Sequence, residues 1–124
     1  MKKKLIIVTG GAGFVGTNLI LSLTKEKNYK IVSIDNYSTG IKSNHIRHKN
    51  VRYIKGDTTN ISLLLKKYKS KIDTIFHFGE FSRIYQSFSK FNQCIQSNFI
   101  GTQEVFNFCL NNDIKLIYSA TSAS

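Results

Sequence analysis

The stretch that decides the fold is "TGGAGFVG", Thr9–Gly16, which directly follows the apolar run "KLIIV". Glycines stand at positions 10, 13 and 16, between a strand-like segment and a helix-like one. In that setting Gly10 permits a tight turn, Gly13 lets a pyrophosphate approach the backbone, and Gly16 lets the helix pack closely on the strand. The pattern predicts a dinucleotide-binding turn at a helix N-terminus. A glycine-rich turn without a ligand is the alternative.

Strand-length apolar segments recur along the chain, with helical stretches between them. Their nearly continuous hydrophobicity is typical of strands that are covered on both faces of a parallel sheet. We therefore expect an α/β fold, a Rossmann-like doubly wound parallel sheet in three α/β/α layers with strand order 3-2-1-4-5. The predicted strands are Lys4–Gly10, Lys30–Asp35, Val51–Asp57, Ile72–Gly79 and Ile114–Ala120, and the predicted helices are Phe14–Lys25, Asn60–Tyr68 and Asn92–Asn111.

Length and composition favour one domain in the cytoplasm. The chain has 124 residues, of which 41% are hydrophobic, enough for a single core. The opening "MKKKLIIV" begins like a signal peptide, but its apolar run is too short for one. No segment approaches the roughly 18 apolar residues of a membrane span. We expect a cytoplasmic protein without membrane partners.

The formal net charge of +11 raises the question of an anionic partner. The densest basic stretch, Lys42–Lys55, mixes Lys, Arg and His with one aromatic residue, as nucleic-acid-binding segments do. Lysines are equally dense at Lys2–Lys4 and Lys66–Lys71, however, so solvated lysine-rich faces explain the charge as well. We do not expect nucleic acid as the main partner. Anionic small molecules or an acidic partner domain remain open.

The cysteines and histidines do not form a predicted covalent or metal site. Cys94 and Cys109 fall on one predicted helix, roughly 22 Å apart along its axis, which is beyond disulfide reach. We expect both to be buried thiols. The histidines at 45, 48 and 77 lack ligand spacing, so no metal site is predicted.

Asp35 ends the second predicted strand, about 20 residues after the glycines, where dinucleotide-binding domains place a carboxylate. Such a carboxylate accepts hydrogen bonds from the adenosine ribose hydroxyls and repels a 2′-phosphate. The position therefore favours NAD over NADP as the cofactor. A simple loop cap is the alternative for Asp35.

The chain resembles the N-terminal, cofactor-binding part of the NAD-dependent epimerase/dehydratase family, among the extended short-chain dehydrogenases/reductases. The matching stretches occur in family order, and "DNYSTG" is similar to the UDP-glucose 4-epimerase branch. The resemblance implies that residues 1–124 form one NAD-binding domain, truncated after the fifth strand, without the substrate domain. The stretches are "VTGGAGFVG", "IDNYSTG", "GD" at 56–57, "FHFG", "NFIGT" and "IYSATSAS".

The resemblance also implies a set of cofactor-binding residues. The glycine loop and first helical turn would hold the pyrophosphate, and the ends of the second and third strands the adenosine. The end of the fourth strand would follow the cofactor toward the nicotinamide, and one residue of the long helix would brace the active-site loop. In that order they are Gly10, Gly13, Phe14, Val15 and Gly16; Asp35, Asn36, Asp57 and Thr58; Phe78, Gly79 and Glu80; and Asn98. For Asn98, hydrogen bonding within the core is an equal alternative.

One position departs from the family pattern. The family has small residues after the fourth strand, whereas this chain has "HFGEFSR" at His77–Arg83. Glu80 would face the nicotinamide end or the substrate, which argues against a plain UDP-glucose 4-epimerase. Alternatively, Glu80 and Arg83 pair at a helix start, since they stand three residues apart.

Family chemistry is a transient hydride transfer to NAD from a nucleotide sugar. It requires a tyrosine base, a lysine four residues later and a Ser or Thr hydroxyl. Thr121 matches the hydroxyl position, with Ser119 and Ser122 as weaker candidates. None of the six tyrosines has a lysine four residues on. The resemblance therefore implies a chain that binds NAD but is inactive alone.

Three readings of the function follow. The first is the NAD-binding portion of a nucleotide-sugar epimerase/dehydratase, serving surface polysaccharide biosynthesis and acting as a homodimer or with a complementing C-terminal fragment. The second is a non-catalytic NAD-binding module or half of a split enzyme. The third is a basic nucleic-acid-binding protein.

Overall fold

Five strands and three α-helices are formed by the residues that the structure describes. The computed structural model describes residues 2–37, 41–80 and 88–121, and their side chains over 2–37, 41–78 and 99–119. Two short 3-10 turns, Lys42–Asn44 and Thr58–Asn60, precede and follow the third strand along the chain. The strands are β1 Lys4–Thr9, β2 Tyr29–Asp35, β3 Val51–Lys55, β4 Ile72–Glu80 and β5 Lys115–Thr121, and the helices are α1 Phe14–Thr24, α2 Ile61–Leu64 and α3 Phe88–Asn112.

The strands form one sheet in the order β3-β2-β1-β4-β5. Every neighbouring pair is parallel, from Ile31 beside Val51 at one side to Glu80 beside Thr121 at the other. The predicted fold class and strand order are confirmed. In a sheet of this kind, all carboxyl ends of the strands meet at one edge, where ligands bind beside the point at which the strand order reverses. That point lies between β1 and β4.

The core has two parts because successive side chains of a strand point to opposite faces of the sheet. On one face, Ile6 and Val8 of β1 pack with Ile20 of α1. On the other, Ile7 packs in a cluster that includes Val105 of α3. The central strand is therefore buried on both sides, which explains why its sequence is apolar without alternation.

The second helix is much shorter than predicted. The sequence predicts a helix over Asn60–Tyr68, but α2 contains four residues, and a 3-10 turn precedes it. Only Ile61 and Leu65 of this segment are buried, whereas Leu63 is 74% exposed. One buried turn does not support a longer helix, since most helical stability in proteins comes from packing of an apolar face. The chain then turns through hydrogen bonds from Tyr68 N–H to Leu65 O and from Lys71 N–H to Tyr68 O.

Several apolar side chains of α3 and β5 are exposed. Phe99 and Leu110 of α3 are 63% and 79% exposed, and Ile117 and Tyr118 of β5 are also exposed.

Cys109 of α3 is free and buried, and burial raises the pKa of its thiol to about 11. Within the ranges that the structure describes, no helix is long and apolar enough to cross a membrane.

Candidate cofactor site

The glycine loop brings an open helix N-terminus to the carboxyl edge of the sheet. Gly10 has φ +71°, a conformation that favours glycine. A Cβ on Gly16 would lie 2.2 Å from Gly10 O, so the helix packs against the loop backbone itself. Gly13 provides no side-chain cap, and no acidic residue lies in the first turn. The N–H groups of the first turn are thus available to an anion at the positive end of the helix dipole.

Phe14 and Val15, which the family resemblance places on the pyrophosphate, begin this helix. Their side chains are 80% and 43% exposed, respectively. Apolar side chains turned outward leave the backbone as the polar surface of this turn. Their N–H groups therefore remain candidates for binding the pyrophosphate.

Asp35 fastens the end of β2 to the glycine loop. Its side chain is 7% exposed, and Oδ2 accepts a hydrogen bond from Ala12 N–H at 2.9 Å. Oδ1 accepts one from Tyr37 N–H at 2.7 Å, which is the local cap that the sequence left as an alternative. An ionised carboxylate has about four acceptor positions, so two bonds leave capacity for ribose hydroxyls. Asp35 is therefore both a loop cap and a candidate ribose ligand.

A ring cluster beside Asp35 was not predicted. Tyr37 has φ +62°, its hydroxyl lies 2.6 Å from His45 Nε2, and His45 stacks on Tyr53 with ring centroids 3.8 Å apart. Burial raises the pKa of the Tyr37 hydroxyl, helped by the charge of Asp35 and by Tyr53. The cluster supports the left-handed backbone that aims Tyr37 N–H at the carboxylate. Nothing in the residue spacing indicates this, because three separate segments contribute.

The predicted adenosine side is also assembled. Asn36 Nδ2 donates to Asp57 Oδ2 at 3.1 Å, and Thr59 N–H donates to Asp57 Oδ1 at 3.0 Å. Burial acts to raise the pKa of Asp57, but the hydrogen bonds from Thr59 and Asn36 outweigh it and lower the pKa below its ordinary value. Thr58 lies against α3, where a Cβ on Gly101 would be 2.2 Å from Thr58 Oγ1. The structure thus brings Asn36 and Asp57 into contact, with an ionised carboxylate at neutral pH.

His77 is a buried residue that sequence reasoning did not single out. Its Nδ1 lies 2.7 Å from Thr9 Oγ1, and its Nε2 lies 2.9 Å from Thr102 Oγ1. Thr9 Oγ1 also accepts a hydrogen bond from Phe78 N–H at 3.2 Å. Burial lowers the pKa of the imidazole to about 4, so the ring is neutral at pH 7. His77 joins β1, β4 and α3 directly behind the predicted cofactor edge.

The remaining predicted residues are located by their backbone or lie outside the described ranges. Phe78 is partly buried in the core on the α1 side. Glu80 and Thr121 are register partners at the carboxyl ends of β4 and β5. The described side chains do not include those of Gly79, Glu80, Asn98, Cys94 and Thr121, and Arg83 and Ser122 lie outside the described residues. Across the described residues, no three His, Cys, Asp or Glu side chains are grouped to hold a metal ion.

Ser33 provides a test of packing under the loop. Its Oγ is buried without a hydrogen-bond partner among the described residues, and a Cβ on Gly11 would lie 1.9 Å from it. We expect Ser33→Ala to raise the free energy of unfolding by about 1 kcal/mol, because a buried unpaired hydroxyl is removed. Thr74→Val is the control: its buried hydroxyl donates to Asp73 at 2.7 Å, so its removal should destabilise. Urea unfolding of both variants measures the two changes in the free energy of unfolding. Changes of the same sign would contradict the prediction.

Comparison of the sequence with models of protein families shows which family the chain belongs to. The model of the "NAD dependent epimerase/dehydratase family" matches residues 6–124. The chain belongs to this family. The resemblance inferred from the glycine loop and the later stretches is confirmed. Family membership agrees with a carboxylate, a glycine loop and an open helix N-terminus at one edge of the sheet.

Relatives within the family cover most of this chain. A dTDP-D-glucose 4,6-dehydratase of Dictyostelium discoideum is 32% identical in an alignment 123 residues long that covers 94% of this chain. Among solved structures, an epimerase of Methanothermobacter thermautotrophicus superposes with a TM-score of 0.82 at 26% identity and covers 97% of this chain. A UDP-N-acetylglucosamine 4-epimerase of Methanobrevibacter ruminantium, in complex with UDP-N-acetylmuramic acid, gives a TM-score of 0.79 at 31% identity and covers 98%.

The chain is much shorter than these relatives. It spans 28% of the Dictyostelium protein, and 36% and 39% of the two archaeal epimerases. The comparison therefore concerns the N-terminal portion of the family fold.

Proposed function

We propose that residues 1–124 are the NAD-binding domain of a nucleotide-sugar epimerase/dehydratase. The observation that carries this proposal is the hydrogen bond between Asp35 and Ala12 N–H, 2.9 Å long. It holds a ribose-binding carboxylate against the same loop that opens the helix N-terminus. Family membership and the similarity to NAD-dependent relatives support it independently.

The described residues fit NAD. The close approach of Gly16 to Gly10 O seats the helix start on the loop, and Gly13 at the N-cap has no side chain to occupy the first-turn N–H groups. The N–H groups of Phe14 and Val15 would bind the pyrophosphate, and Asp35 would accept from the ribose hydroxyls. The same carboxylate would repel the 2′-phosphate of NADP. Asn36, Asp57 and Thr58 would lie along the adenosine, and Gly10 and Gly13 would form the loop under the phosphates.

The nicotinamide side would be formed by the ends of β4 and β5. Bound NAD supplies a hydride acceptor. Phe78, Gly79 and Glu80 would line the cofactor there, Thr121 would hydrogen-bond the reacting oxygen, and Asn98 would brace the loop. The pairing of Glu80 with Thr121 in the sheet supports a shared location at this edge.

Catalysis is proposed to need more than these residues. No tyrosine of the chain is followed by a lysine four positions on, so the base that the family uses is not among its residues. We therefore expect NAD binding without turnover of a nucleotide sugar by the 124-residue chain. A substrate-binding portion, supplied by a longer form or a complementing fragment, would act on the nucleotide sugar. A cytoplasmic location, a homodimer and a role in surface polysaccharide synthesis are parts of the same proposal.

Cofactor titration tests the site. The chain should bind NAD more tightly than NADP. Asp35→Asn should weaken NAD binding by about tenfold, because a charge-assisted hydrogen bond to the ribose is lost. NADP binding should change less, because the substitution also relieves the repulsion between the carboxylate and the 2′-phosphate. Asp73→Asn removes the same charge from an exposed position at the amino end of β4, so it serves as the control. Isothermal titration on samples with native circular dichroism gives the comparison. Absence of NAD binding by folded protein would overturn the proposal.

A further inference from the structure

A basic recess lies at the amino edge of the sheet, opposite the proposed cofactor site. Its volume is about 1190 Å³, and its walls come from the starts of β1, β2 and β3 and from the segment before β4. Among the described residues that line it, none is Asp or Glu. The cationic lining residues are Lys2, Lys3, Lys30, Lys49, Arg52, Lys67 and Lys71. We refer to the recess that these residues line as the basic recess.

Neutral side chains hold several of these cations in place. Asn50 Oδ1 accepts from Lys3 Nζ at 2.8 Å, and the Tyr68 hydroxyl accepts from Arg52 Nη1 at 3.3 Å. Lys67 Nζ lies 5.0 Å from the centroid of the Tyr68 ring. Burial acts to raise the pKa of Tyr68, but hydrogen bonds from Arg52 and Lys67 and their charges prevail and lower it. The seven cations, with no Asp or Glu among the described lining residues, give the recess a positive potential.

Like charges that line one recess repel each other, and the repulsion is relieved when a compact polyanion neutralises several together. We propose that the basic recess binds a polyphosphate chain, supplied either as inorganic polyphosphate or as the triphosphate of a nucleotide. The site is separate from the proposed NAD site, because the strands are parallel and the glycine loop lies at their other ends. The proposal goes beyond the proposed function and does not depend on it.

The geometry favours a polyphosphate over a nucleic acid. Proteins that bind single strands combine a charged groove with aromatic rings on which bases stack. Tyr68 is the one aromatic residue among the described lining residues, and Arg52 and Lys67 already engage its hydroxyl and ring. Six of the seven cations are lysines, which act as point charges toward phosphate. The recess thus offers charge without a platform for bases.

Binding of inorganic tripolyphosphate to the 124-residue chain is the first measurement. The triple variant Lys30→Gln/Lys49→Gln/Lys71→Gln removes three exposed recess cations that do not hydrogen-bond to Tyr68 or Asn50. We expect it to weaken binding at least about tenfold at low salt, where screening is small. A control removes three exposed lysines outside the recess, Lys25→Gln/Lys66→Gln/Lys115→Gln, and should weaken binding less than about threefold. Equal weakening by the two variants would overturn the proposal.

Amide chemical shifts during titration locate the ligand. Shifts confined to residues 30, 49, 67 and 71 and their neighbours support the recess, and shifts confined to the glycine loop, residues 10–16, would overturn it. ATP is the second probe: ATP binding equal to tripolyphosphate, or weaker, identifies the inorganic chain as the source, and tighter ATP binding identifies a nucleotide. A single-stranded thymidine oligonucleotide is the third probe. Binding of the oligonucleotide more tightly than either phosphate compound would overturn the proposal in favour of a nucleic-acid site.

Discussion

The free energy of unfolding should fall by about 3 kcal/mol between pH 7 and pH 4 through His77 alone. Burial lowers the pKa of His77 from its ordinary value of 6.5 to about 4 in the folded protein. As the pH falls below 6.5, the unfolded chain therefore binds a proton at His77 that the folded chain does not bind until the pH nears 4. The stabilisation is complete above pH 6.5 and is lost as the pH falls toward 4.

Comparison with a non-titrating variant isolates this contribution. His77→Gln is expected to be less stable than the wild type at pH 7, since it replaces the ring that lies between Thr9 and Thr102. Its additional loss between pH 7 and pH 4 should be smaller than that of the wild type by about 3 kcal/mol. Urea unfolding at a series of pH values provides the measurement, and parallel curves for wild type and His77→Gln would contradict it.

A single methyl group on Gly16 should disrupt the cofactor edge. The added Cβ would lie 2.2 Å from Gly10 O and 2.7 Å from Gly11 Cα, and these backbone atoms cannot move unless α1 leaves the loop. We expect Gly16→Ala to lower the free energy of unfolding by about 3 kcal/mol. The displaced helix start should also lower NAD affinity at least about tenfold, because the N–H groups no longer converge on the phosphates.

Gly56→Ala is the matched control for this substitution. Its Cβ would approach Leu64 Cδ1 at 2.6 Å, and this atom is the end of a flexible side chain. A rotamer change relieves the overlap, so the loss of stability should be about 1 kcal/mol or less. Thermal unfolding and NAD titration of both variants make the comparison. If Gly16→Ala and Gly56→Ala behave alike, the close approach of helix and loop is not what shapes the site.

The strands could be predicted because their signals are local, and their order follows from the right-handed crossovers of a doubly wound sheet. The glycine loop and the apolar runs identify β1, α1 and the parallel sheet within short windows of sequence. The second helix was predicted too long, since its leucines suggest a continuous apolar face while Leu63 is in fact exposed. The length of such a helix depends on what packs against it.

Candidate site residues could be named from the sequence, but the contacts that hold them in place could not. Asp35 was expected from its distance to the glycines, whereas its bond to Ala12 depends on how the loop closes. The Thr9 to His77 contact joins residues 68 positions apart, and no spacing rule indicates it. The positive φ of Tyr37 likewise depends on tertiary contacts, because a tyrosine does not favour that conformation alone.

The strand order also sets a sequence of folding events. β1 pairs with β2 across about 25 residues, from Lys4 to Tyr29, but reaches His77 of β4 only across 68. The longer closure costs about 1 kcal/mol more in chain entropy. We therefore expect β1 and β2, which carry the glycine loop and Asp35, to pair first. The edge of β1 that faces β4 would remain unpaired until β4 joins the sheet. The phosphate-binding half would then be assembled before the nicotinamide half during synthesis.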